Sequence, residues 1–178
     1  MPTSALVRVF PALLALALAA APLQAGGLRL QPNDEEFVLR AIERGEAEAE
    51  ASRLARQRTQ DPALRALARQ IETASAERVR RLRQLARQEG MTLPRRALPR
   101  PQLASLRGLQ DGDFDRAYLE AIALDSQRTE LDRHLQQADS GVNPVLRRQA
   151  RRAVPVLERQ VAEAQRLAEQ AAQRQARD

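Results

Sequence analysis

Two carboxylates, a hydroxyl and an amide interrupt the apolar stripes of this chain near their middles: Glu48, Ser75, Asp125 and Gln160. Packed helices share one level at their midpoints whatever their direction, so these four side chains are expected to approach each other. Glutamates and Glu-x-x-His pairs at the centre of ferritin-like bundles build di-metal sites. That chemistry is poorly served here. The four residues include no imidazole, the sequence holds no Glu-x-x-His, and calcium or magnesium ordinarily takes more carboxylate than two side chains supply. The expectation is a hydrogen-bonded polar layer that fixes helix register, with no catalytic residue, no cofactor and no metal. The one histidine, His134, lies between Leu131 and Leu135. It is expected at a boundary or in solvent, and no serine, histidine and acid triad assembles around it.

The elements that must position this layer are helices. Ala, Leu, Gln, Glu and Arg dominate a chain of 178 residues in which aromatics make up 2%, a composition of strong helix formers. Cysteine is absent. That excludes disulfides, thiolate metal sites, a cysteine nucleophile and a lipid-modified N-terminal cysteine. Lysine is absent too, so the 29 basic residues are all arginine. The net charge is +6 with both signs mixed along each segment, as in a solvated surface with intrahelical pairs such as Glu77 with Arg81.

Residues 1–25 read as a secretory signal peptide. Arg8 precedes an almost unbroken apolar run from Phe10 to Ala21, too short to span a bilayer comfortably; an uncleaved anchor is the alternative. Export to the periplasm of a Gram-negative bacterium follows, and with it no encounter with genomic DNA. Residues 26–32 form a linker and 33–176 the domain. Asn33 is expected to cap the first helix, with Asp34, Glu35 and Glu36 in its first turn and Phe37, Val38, Ala41, Ile42, Gly45, Ala49, Ser52 and Ala55 inward. Asp61-Pro62 restarts the chain as cap plus first-turn proline. The second helix turns Leu64, Leu67, Ile71, Val79, Leu82 and Leu85 inward and ends at Gly90.

Residues 91–110 form a long connection with Pro94, Pro99 and Pro101 and a helical turn near Leu103 to Leu109. Twenty extended residues reach about 66 Å, and a helix of some 26 residues is about 40 Å long. The connection can therefore cross the whole bundle, whereas those near Gln60 and Gly141 are tight. The third helix, from Asp111 or Asp113 to Ser140, places Phe114, Tyr118, Ala121, Ile122, Leu131 and Leu135 on one face, with Asp125 inside it. Asn143-Pro144 opens the fourth, whose stripe runs from Leu146 to Ala171 around an internal Pro155. The fold expected is all-α: a ferritin-like four-helix bundle, two antiparallel hairpins joined by a long crossover.

Asp34, Phe37, Ala41 with Gly45, Glu48, Leu54-Ala55, Ala66-Leu67-Ala68, Phe114-Asp115-Arg116-Ala117-Tyr118, Asp125 and Val154-Pro155-Val156-Leu157 carry a resemblance. From Asn33 to Leu167 the chain resembles the exported bacterial family called domain of unknown function 4142, whose members are often labelled outer-membrane or periplasmic. The resemblance implies a ferritin-like bundle with no settled activity. It also implies histidines at positions that here are Ser75, Ser126 and Gln160, so the chain looks like a member that kept Glu48 and Asp125 and lost the imidazoles.

Three functions compete. The first is a non-catalytic envelope protein acting through an unknown envelope partner. The second is a metal-binding bundle with a reduced site at Glu48 and Asp125. The third is a binder of anionic lipid or polysaccharide, making weak contact with an anionic membrane surface. It would act through Arg147, Arg148, Arg151 and Arg152, which crowd the start of the fourth helix, with Arg81, Arg83 and Arg87 at the same pole. Pairing of those arginines with Asp34, Glu35 and Glu36 is the simpler account of that pole.

Overall fold

The computed structural model describes residues 30–93 and 101–177. The expected signal peptide, residues 26–29 of the linker and residues 94–100 of the crossover lie outside the described residues. Helix α1 spans Pro32–Arg58, α2 Pro62–Gln88, and a short α3 Pro101–Gly108. Helix α4 (Asp111–Tyr118), a π-helical segment (Leu119–Ser126) and α5 (Gln127–Ser140) follow one another without a break and form the third rod. Helix α6, Pro144–Gln175, is the fourth.

The termini show how local chemistry sets the boundaries. Asp61 Oδ1 accepts from the backbone N–H groups of Ala63 and Leu64, and Asn143 Oδ1 does the same for Val145 and Leu146. A proline follows each cap at the position where no N–H is needed. Gly90, at φ +71°, closes α2 with its own N–H on Arg87 O and that of Met91 on Ala86 O, the Schellman arrangement that glycine allows. The first helix departs from expectation. It begins at Pro32, with Gln31 rather than Asn33 in the cap position and no side chain capping it. Proline at the first turn sets the start. Pro155 lies within α6 and leaves the Arg151 carbonyl without its usual donor.

The rods form a four-helix bundle whose directions can be read from contacts near their ends. Asp34, at the start of α1, accepts from Gln137 Nε2 at 2.8 Å and from Asn143 N at 3.0 Å. Thr59, at the other end of α1, donates to Asp115 at 2.8 Å. The third rod thus runs antiparallel to α1. Arg174, late in α6, reaches Asp61 at the start of α2 at 3.6 Å, so α2 and α6 are antiparallel as well. Leu64 and Leu67 share a cluster with Phe114 and Tyr118, which makes α2 and the third rod parallel and requires the crossover to traverse the bundle.

The core is divided. One apolar cluster gathers Ala55, Leu67, Ile71, Phe114, Tyr118 and Leu167; the other gathers Val38, Ile42, Leu82, Leu85 and Leu146. Between them lies a polar layer. The Phe114-Asp115-x-x-Tyr118 run ties the third rod to the end of α1. Phe114 is buried under the Arg58 guanidinium, 4.3 Å from its ring centre, and the Tyr118 hydroxyl lies 2.9 Å from Ser52 Oγ. Burial holds the Tyr118 phenol far above its usual range, so it remains a neutral hydrogen-bonding group.

Gly45 allows α1 and α2 to approach closely beside the polar layer. A Cβ there would meet Val79 Cγ2 at 2.7 Å, and a valine side chain has little freedom to yield. Gly45→Ala should therefore destabilise despite its better helix propensity, since overpacking costs about 1–3 kcal/mol against roughly 0.5–1 gained. In urea unfolding, the Gly45→Ala/Val79→Ala pair should be more stable than the sum of the single changes predicts. Strict additivity would show that the contact is not the constraint.

Candidate functional site: a buried ion-pair layer

At the bundle centre, Glu48 is fully buried on α1 and accepts three hydrogen bonds. Its Oε2 accepts from Ser75 Oγ at 2.9 Å and from Arg78 Nη2 at 2.7 Å. Its Oε1 accepts from Ser126 Oγ at 2.8 Å. Arg78 Nη2 also lies 3.2 Å from Ser75 Oγ. A second carboxylate, Glu130, is wholly buried on α5. Its Oε1 sits 2.9 Å from Arg44 Nε and its Oε2 3.9 Å from Arg78 Nε. Neither contact has the alignment of a hydrogen bond. His134 is buried one turn on, its Nδ1 2.8 Å from Glu130 O and its ring edge-on to Phe37 at 5.2 Å.

Glu48, Ser75 and Gln160 are thus buried at the level expected of them, and Glu48 and Ser75 are joined directly. Asp125 is not part of the layer. It is exposed, as is Ala121, and Leu135 keeps 45% of its surface in solvent. The cause is the π-helical segment. Each inward step up to Ile122 is a regular helical turn, but the step from Ile122 to Gln127 is one residue longer, as i→i+5 bonding inserts. Beyond it Gln127, Glu130, His134 and Gln137 face inward. His134, expected at a boundary or in solvent, is corrected on the same ground. Glu130 and Arg78 were therefore missed, and the signal that could have found them is a stripe re-phased by one residue after Ile122.

The arginine-rich pole also differs from expectation. No described residue pairs Arg147, Arg148, Arg151 or Arg152 with Asp34, Glu35 or Glu36, and Asp34 instead turns inward to Gln137 and Asn143. Arg83 bonds to Glu46, and Arg81 lies 3.5 Å from Glu77. Of the quartet, Arg152 lines a groove between α2 and α6 whose wall also includes Arg78 and Gln160.

The layer does not fit a metal ion. Among the described residues no three His, Cys, Asp or Glu side chains converge on one point. The position between the carboxylates is held by a permanently charged guanidinium, which repels a divalent cation and already uses the Glu48 lone pairs.

Fold and layer together define the class: an all-α four-helix bundle with a self-neutralised ionic centre. The chain belongs to the family described as Domain of unknown function (DUF4142), whose model matches residues 19–167. A solved structure, a DUF305 fragment from Deinococcus radiodurans, is similar in fold, with a TM-score of 0.70 at 16% identity over 80% of this chain and 99% of that one. No curated protein matches the chain.

Two titrations oppose each other in the layer. Burial, reinforced by the Glu48 charge, pushes Glu130 up to about 7 from an ordinary 4.5. Burial and then the Arg78 charge push His134 down to about 4 from 6.5. Between pH 4.5 and 7 the folded chain holds a proton on Glu130 that the unfolded chain has lost, so this group's contribution to stability falls as pH rises. Between pH 4 and 6.5 the unfolded chain holds a proton that His134 does not, so this contribution rises with pH. Each is worth about 3 kcal/mol over its window. Urea midpoints of the wild type should be nearly level from pH 4.5 to 6.5, those of Glu130→Gln should rise, and those of His134→Gln should fall. Parallel profiles for all three proteins would contradict this account.

Proposed function

We propose that the protein is a non-catalytic, exported helical-bundle protein of the bacterial envelope, a scaffold whose centre carries a resident guanidinium where related bundles hold metal. The observation that carries this reading is Arg78 Nη2 at 2.7 Å from Glu48 Oε2, buried between two apolar clusters. Ser75 and Ser126 stand where the family resemblance places histidines, and both spend their hydroxyls on Glu48. The layer is occupied with satisfying itself. Glu130 and His134 are buried with no open path for a substrate's reacting atoms, and Tyr118 is locked to Ser52. Export is supported by the charge and apolar run of residues 1–25 and by the family resemblance.

Elemental analysis of protein purified without chelator should give iron, manganese and zinc far below one per chain; a stoichiometric metal overturns the reading. Arg78→Leu should lower stability by about 3–5 kcal/mol, because it strands a buried carboxylate. Adding Glu48→Gln should recover a large part of that loss. A chain in which Arg78→Leu costs nothing would remove the guanidinium from its structural role. For export, the full-length chain should be recovered from the periplasm beginning at Gly26. An intact N-terminus in the membrane fraction would favour the anchor instead.

A further inference from the structure

The groove between α2 and α6 is a cavity of about 460 Å³, within the size range of small-molecule sites. Arg69 and Arg81 line it from α2, Arg152 and Arg159 from α6. The two rods are antiparallel, so Arg81 lies toward the Arg152 end and Arg69 toward the Arg159 end. None of Arg69, Arg152 and Arg159 makes an ion pair or hydrogen bond with a described residue. Arg81 has only the loose 3.5 Å contact with Glu77, the one carboxylate on the wall. This contrasts with the α1–α2 face, where Arg53 and Arg56 clamp Glu72 at 3.1 and 3.0 Å and Arg83 bonds to Glu46. In a chain with both signs everywhere, the groove collects positive charge and leaves it unneutralised.

The floor adds a second feature. Gln160 lines the groove, is only 3% exposed, and its Oε1 has no hydrogen-bond partner. Its amide can offer a donor or an acceptor to whatever enters. Ala74, Ala153 and Val156 give an apolar patch beside it. We propose that this groove binds a small ligand carrying two or more phosphate groups, with the arginines forking onto the phosphate oxygens and the Gln160 amide beneath. Guanidinium matches the geometry of phosphate in pairs of parallel hydrogen bonds. Four such groups against one carboxylate suit a ligand of about three negative charges better than a single monoanion. The groove is independent of the Glu48 layer's lack of metal, since only Arg78 and Gln160 touch both.

Titration calorimetry of the full chain with sodium tripolyphosphate, at low and physiological salt, tests the site. One ligand per chain is expected. Arg152→Ala and Arg159→Ala should each weaken binding about tenfold, while Arg148→Ala, which removes the same charge outside the groove, should change it less than about twofold. Circular dichroism should show all three variants folded, as their side chains are exposed. Co-sedimentation with phosphatidylglycerol vesicles separates the sources. Vesicle binding lost in the groove variants identifies a lipid headgroup, and tripolyphosphate binding without vesicle binding identifies a free phosphorylated molecule. The proposal is overturned if neither probe binds, if Arg148→Ala weakens binding as much as the groove variants, or if citrate binds as tightly as tripolyphosphate.

Discussion

The buried contact between Arg78 and Glu48 is the constraint around which the rest of the bundle is arranged. Two charges withdrawn from water cost several kcal/mol apiece, and mutual attraction repays this only where geometry and additional hydrogen bonds are good. Here the additional bonds come from other rods: Ser75 from α2 and Ser126 from the third rod. A shift of any one of them along its axis would leave the carboxylate under-satisfied. Apolar packing alone tolerates such sliding, because leucine and alanine stripes fit one another in more than one register. The ionic layer does not. It separates the two apolar clusters and pins their relative position, and Gly45 makes room for it. A side chain at that position would press on Val79 and come within 3.9 Å of the guanidinium itself.

The third rod shows what this arrangement costs locally. Burying Gln127, Glu130 and His134 while leaving Leu135 in water reverses the ordinary preference. Glu130 is compensated only in part by Arg44 and Arg78, and its carboxyl is correspondingly hard to ionise. Both side-chain atoms of Gln127 are buried without partners. A π-helical insertion persists when the surrounding structure over-determines it, and here its two flanks are anchored. Upstream, Phe114 and Tyr118 are fixed by Arg58 and Ser52. Downstream, Gln137 is held by Asp34. The segment between takes up the one-residue mismatch.

Legibility in the sequence followed the kind of signal each feature leaves. Proline and cap pairs at Asp61-Pro62 and Asn143-Pro144, and the glycine at 90, act within a few residues and were readable as such. The four rods, their order and the inward stripes of α1, α2 and α6 follow from a regular period and from connection lengths. Glu48, Ser75 and Gln160 could be placed because no irregularity intervenes on their helices. Asp125 could not. A helical period projected from Phe114 passes through Asp125, Leu131 and Leu135 and gives a plausible apolar face, and nothing in Leu119 to Ser126 announces the extra residue. Arg78 escaped for a different reason. Among so many arginines, one lying on an apolar face carries no mark distinguishing it from a solvated neighbour, and only its carboxylate partners do.

The same limit applies to the arginines at large. Composition shows them mixed with acids and compatible with a screened surface, yet the helices sort them unequally. On the α1–α2 face they find carboxylates on the facing rod; on the α2–α6 face those of α6 find none. Repulsion between exposed charges is too weak to hold two helices apart, being worth well under about 1 kcal/mol per pair. The groove has a steric origin instead. Ala74 and Ala153 are too short to fill the space between the rods, while larger residues such as Leu67 and Leu157 are buried away from it. Small side chains open the space, and the longer arginines at its rim determine what can occupy it.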